Sequence, residues 1–127
     1  MAWQDDALAV LCAYSRIRLA VVFGSIARGR SRGDSDIDIG VLLDADSPNI
    51  AQALEVDLAR ALRRTVDLVT LNTAPPLLRF EVTRDGEVLF AREAHAWTDF
   101  KAQAMVDWWD WAPTARRMHA AAAARLR

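Results

Sequence analysis

Apolar residues recur at helical spacing near both ends of this chain and run almost unbroken through short segments between them. Ala7, Leu8, Leu11 and Cys12 share a helical face, and Asp5 and Asp6 suit a positively polarised helix start, which predicts a helix over 3–14. Leu-Ala-Val-Val-Phe within 18–23 reads as a strand stopped by Gly24, followed by one helical turn over 25–28 and a polar loop over 30–35. Asp, Ile, Asp, Ile and then Val-Leu-Leu make 36–43 a second strand. Ser47 as N-cap and Pro48 in the first turn open a helix to about residue 63, with Ala51, Leu54, Leu58, Ala61 and Leu62 on its apolar face. A third strand is predicted over 66–71, and a short helix from Pro75-Pro76 through Val82. Asp85-Gly86 is a turn signal before an edge strand over 87–90. From Ala96 the period is helical again: Phe100, Ala104, Trp108 and Trp111 form one stripe, with Asp99, Gln103, Asp107 and Asp110 largely opposite. Pro113 is expected to kink or interrupt this helix, and the alanine run from Ala120 to Ala124 to continue it.

Length and composition narrow this picture without changing it. At 127 residues the chain is expected to be a single domain over 1–127, with a C-terminal helix over about 96–125. Hydrophobic residues at 53% and charged residues at 26% describe a globular chain with a real core. A net charge of −1 gives little electrostatic drive to coat long nucleic acid. No apolar run approaches the ~20 residues that cross a bilayer, and the acidic start is unlike a secretory signal, so a cytoplasmic location is expected. Cys12, the single cysteine, is expected to be a small buried hydrophobe.

The candidate chemistry lies between residues 21 and 41. Side chains two apart on a strand point to the same face, so Asp36 and Asp38 present two carboxylates side by side. Adjacent anions repel unless one takes up a proton or a cation sits between them. Mg²⁺ favours oxygen ligands and leaves positions open for water and substrate phosphates, the arrangement used in phosphoryl and nucleotidyl transfer. Asp67, near the start of the third strand, can reach the same place if that strand neighbours the second; on spacing alone an exposed strand-end acid is the better reading, and Asp36 and Asp38 together reverse that. Gly24 permits a sharp turn and close approach of a ligand, and Ser25 offers a hydroxyl and amides at a helix start, a phosphate cradle. As a bare dipeptide Gly-Ser is an ordinary strand-to-helix turn; its offset from Asp-x-Asp is what makes it informative.

Gly24-Ser25, then Asp36-Ile37-Asp38, with Asp67 on a later strand, closely resembles the signature of the nucleotidyltransferase superfamily that includes DNA polymerase β. The longer form, Gly24-Ser25-Ile26-Ala27-Arg28-Gly29 followed by Ser35-Asp36-Ile37-Asp38, is similar to the minimal nucleotidyltransferase group, over about residues 15–112. The resemblance implies an α/β (α+β) fold: a small mixed sheet with helices mainly on one face. It implies that Asp36, Asp38 and Asp67 are catalytic and hold two Mg²⁺ ions, with Asp67 able to act as general base. Gly24, Ser25, Arg28 and Ser35 are then the nucleotide- and phosphate-binding positions, with ATP as substrate. Arg28 reads either as a phosphate clamp, a partner for a carboxylate of another protein, or a solvated loop residue; Arg30, Arg32 and Asp34 read as solvated loop.

Many members of this group are antitoxins that neutralise a HEPN-domain ribonuclease toxin by moving AMP from ATP onto one of its tyrosines, and the resemblance implies that role. Little sequence follows residue 112, so the acceptor is expected to come from a second protein or a second copy, as a homodimer or a hetero-oligomer with the toxin. Two alternatives stand beside it: an antitoxin that binds without catalysis, disfavoured by the complete aspartate set, and a small-molecule transferase of the aminoglycoside type, disfavoured by the missing acceptor-domain sequence. Trp97, Trp108, Trp109 and Trp111 crowd the last helix. Trp109 lies about 100° around from Trp108, so it is expected to contact a partner or a second copy.

Overall fold

The core strand, β1 (Ile17–Phe23), carries seven consecutive residues of which only Arg18 escapes full burial. In the computed structural model, which describes residues 3–27, 29, 36–45 and 47–125, this strand sits inside a four-stranded sheet of order β3-β2-β1-β4. Its neighbours are β2 (Ile37–Leu43) and β4 (Glu87–Ala91), both antiparallel to it, and β2 pairs in parallel with β3 (Val66–Thr70). The helices are α1 (Trp3–Cys12), the single turn α2 (Gly24–Ala27), α3 (Pro48–Leu62), α4 (Pro76–Asp85) and α5 (Ala96–Arg125).

Two apolar clusters lie on the two sides of the sheet. Ala20 and Val22 of β1 with Ile37, Ile39 and Val41 of β2 pack against Ala7 and Leu11 of α1 and Leu54, Leu58 and Leu62 of α3. Leu19, Val21 and Phe23 pack against Val82 of α4 and Ala96, Phe100 and Ala104 of α5. The mixed sheet matches the expectation, but the helices divide between the faces instead of gathering mainly on one. The physical reason is the near-continuous apolar run in β1, which needs cover on both sides.

Several local expectations change. Cys12 is exposed, because it lies one helical step beyond Leu11, which the core takes. Ser47 holds the N-cap position of α3, yet its side chain makes no cap hydrogen bond; its carbonyl accepts the Ala51 N–H at 3.1 Å. Helix α3 ends on Arg63 in the left-handed region at φ 53°. Asp107 does not face away from the core stripe: it meets Arg79 of α4 at 3.7 Å. Helix α5 runs through Pro113 without a break. Among the described residues no helix is long and apolar enough to cross a membrane.

Candidate active site

Three backbone facts assemble the site. Phe23, the last residue of β1, pairs with Asp38 on β2. Asp38 pairs in turn with Asp67 on β3, and the Thr65 carbonyl accepts the Ile37 N–H at 3.0 Å to lock that parallel register at its start. Asp36 lies just ahead of β2, on the same strand face as Asp38. Ile37 and Ile39 are fully buried on the opposite face, so the aspartates cannot rotate inward without exposing core. Asp38 is half-buried, while Asp36 and Asp67 are exposed. Register, not sequence proximity, brings Asp67 to the pair.

Gly24 completes the wall beside Asp38. It turns the chain from β1 into α2 at φ +75°, a conformation that side chains disfavour. A Cβ placed on it would lie 3.1 Å from Asp38 Cγ and would overlap the carboxylate oxygen Oδ2. The glycine is therefore required twice, for the turn and for the space the carboxylate occupies. Gly29 also has a positive φ of 70°, and its N–H closes on the Ile26 carbonyl at 3.1 Å, yet a Cβ there meets nothing. Its requirement is conformational alone. Ser25 lies in α2, with its side chain outside the described residues; Arg28, Ser35, Arg30, Arg32 and Asp34 lie outside them altogether.

Supporting contacts that the apolar pattern did not reveal hold the strand ends. Glu55 of α3 accepts the Leu68 N–H at 3.0 Å, pinning edge strand β3 one residue beyond Asp67. Asn72 uses both ends of its amide on Leu43 at the far end of β2, accepting its N–H and donating to its carbonyl, each at 2.9 Å. Asn72, a polar residue just past a strand, gave a weak signal; Glu55, in the middle of α3, gave none. Away from the site, Tyr14 donates its hydroxyl to Asp57 between α1 and α3, and that bond, with burial and the Asp57 charge, pushes its pKa up to about 12.

The donor set fits a hard divalent cation. It consists of carboxylate oxygens only, on adjacent strand positions, with Gly24 leaving Asp38 room beside the turn. Among the described residues no three acidic, histidine or cysteine side chains form a group that could hold a metal ion, so the protein side chains alone do not enclose one. An incomplete donor set of this kind is compatible with an ion such as Mg²⁺, which takes remaining ligands from water or substrate oxygens.

The comparisons agree with this geometry. A family model described as Polymerase beta, Nucleotidyltransferase matches residues 7–95. A protein adenylyltransferase MntA of Shewanella oneidensis is 38% identical over 79 residues, 61% of this chain and 57% of that protein, so the match spans less than two thirds of the relative's length. A protein adenylyltransferase MntA of Aphanizomenon flos-aquae is 24% identical over 114 residues, 81% of this chain and 76% of that one. Among solved structures, a chain in a crystal structure of a toxin–antitoxin with AMP-PNP superposes with a TM-score of 0.85 at 26% identity, over 94% of this chain and 97% of that chain.

Proposed function

This chain belongs to the polymerase β-type nucleotidyltransferase family, and we propose that it is a Mg²⁺-dependent adenylyltransferase antitoxin. In this reading it moves AMP from ATP onto a tyrosine hydroxyl of a HEPN ribonuclease toxin and so neutralises it. The observation that carries the reading is the direct register pairing of Asp38 with Asp67, beside a glycine turn that no other residue could fill. Relatives named protein adenylyltransferase, and the likeness to a toxin–antitoxin that holds an ATP analogue, support the nucleotide and the kind of partner.

The chain's own groups divide the work. Backbone amides at the Gly24-Ser25 turn bind the β- and γ-phosphates, since a helix start offers N–H groups without intrahelical partners. Asp36 and Asp38 would hold the cation against which the triphosphate is oriented, since bare carboxylates repel phosphate. Asp67, exposed on the edge strand, faces the direction from which an acceptor can arrive and takes the proton of the acceptor hydroxyl. The acceptor oxygen bonds to the α-phosphorus as the bond to the bridging oxygen breaks, and pyrophosphate leaves. Mg²⁺ held by Asp36, Asp38 and Asp67 would neutralise phosphate charge and lower the acceptor's pKa.

The test is incubation of chain and toxin with ATP labelled in turn at the α- and γ-phosphorus. Label from the α position alone should enter the toxin, and Asp38→Ala should abolish it while circular dichroism stays unchanged. Toxin labelled from the γ position, or neutralised fully by Asp38→Ala, would overturn the reading.

A further inference from the structure

Helix α5 carries a second seam that the core does not use. Ala102, Val106, Trp109, Pro113, Arg116 and Ala120 are spaced four, three, four, three and four residues apart, and all are exposed, Trp109 by 66% and Val106 by 47%. At 100° per residue they fall within an arc of roughly 80°. Alternating spacings of three and four are the a/d pattern of a helix that packs lengthwise against another helix. The core-facing stripe through Phe100 and Ala104 lies elsewhere on the same helix. The 30-residue helix is about 45 Å long, and from Pro113 onward every described side chain is exposed, so its second half extends beyond the body. It lies outside the stretch 7–95 matched by the family model.

We propose that this seam joins two copies of the chain through antiparallel packing of their α5 helices about a two-fold axis near Thr114 and Ala115. The residues themselves favour a second copy. An antiparallel pair centred there sets Trp109 against Ala120 of the other copy, large against small, and Pro113 against Arg116, whose aliphatic stem covers the ring while its charge reaches solvent. Asp110 and Arg117, both exposed and flanking the seam, come to opposite sides of the axis, so each interface carries the Asp110–Arg117 pair twice.

Sedimentation equilibrium of the full chain without any partner tests this. The expected mass is twice the 14.1 kDa of one chain. Asp110→Arg should raise the dimer dissociation constant roughly tenfold or more, because like charges then meet across the axis, and Trp109→Glu should give monomer. Asp110→Arg combined with Arg117→Asp should restore the dimer, a recovery that a folding defect would not produce. All four proteins keep the Asp36, Asp38 and Asp67 set. A monomeric wild type, a dimer indifferent to Asp110→Arg, or a charge swap that fails to recover the dimer would each overturn the proposal. So would a seam on which variants weaken only binding to a toxin.

Discussion

Gly24 and Asp38 act as one unit, and the consequence is measurable at single residues. Gly24→Ala asks an alanine to hold φ +75° and to occupy space taken by the Asp38 carboxylate. It should cost about 1–3 kcal/mol of stability, read by urea unfolding, and should also depress nucleotide transfer. Gly29→Ala breaks the same backbone rule with nothing to collide with, so it should cost stability without moving Asp38. Asp38→Asn keeps the shape and removes the charge; a site that relies on it for several kcal/mol of transition-state stabilisation should lose on the order of 10³-fold in transfer rate. Tyr14, the single tyrosine, offers an independent check of the α1–α3 contact. Its folded pKa of about 12 lies above the ordinary 10, so its contribution to stability is complete below pH 10 and is lost as pH rises toward 12. Absorbance at tyrosinate wavelengths should therefore rise near pH 12 in the native chain, and Asp57→Asn should bring the midpoint back toward 10.

Elements were readable wherever one physical rule dominated. Strands β1 and β2 and helix α3 follow from apolar runs and proline, and they stand close to where the residues put them; Asp85, expected in a turn, instead ends α4, with Gly86 as its extended C-cap. What the sequence concealed depends on contacts between elements. Asp107 looked solvent-facing by periodicity, but Arg79 of α4 lies across from it and the pair meets at the rim of the α4–α5 interface. Cys12 looked buried because its neighbours are apolar, but a helix end commits only one side to the core. Asn72 has no periodic signature at all, yet it closes both backbone groups of Leu43 as an extra strand residue would. Asn72→Ala leaves those groups without their partner and should cost about 1–3 kcal/mol. Trp108 ties α5 to α4 by stacking on Phe80 at 4.8 Å between ring centres. Trp108→Ala should lower unfolding free energy by roughly 2–4 kcal/mol, measured by the same urea titration.

For the molecule as a whole, parallel pairing of β2 and β3 is the decisive step from chain to site. The aspartates at 36 and 38 are neighbours by alternation, which any reader of the sequence can see. Asp67 joins them only because β3 returns to the same edge through α3 and aligns its second residue with Asp38. That register depends on long-range packing of α3, which no local pattern encodes. The same holds for the two-sided helix cover: each amphipathic face was visible, but which side of the sheet it takes is set by the crossovers. The result is a row of carboxylates on neighbouring strand positions and a long helix with an exposed seam. The most direct measurement is intact mass spectrometry of a HEPN toxin after incubation with this chain, ATP and Mg²⁺. The account predicts mass increments of whole AMP units on a toxin tyrosine, absent with Asp38→Ala or with chelator; an unmodified toxin that is nevertheless inactivated by folded wild-type chain would contradict it.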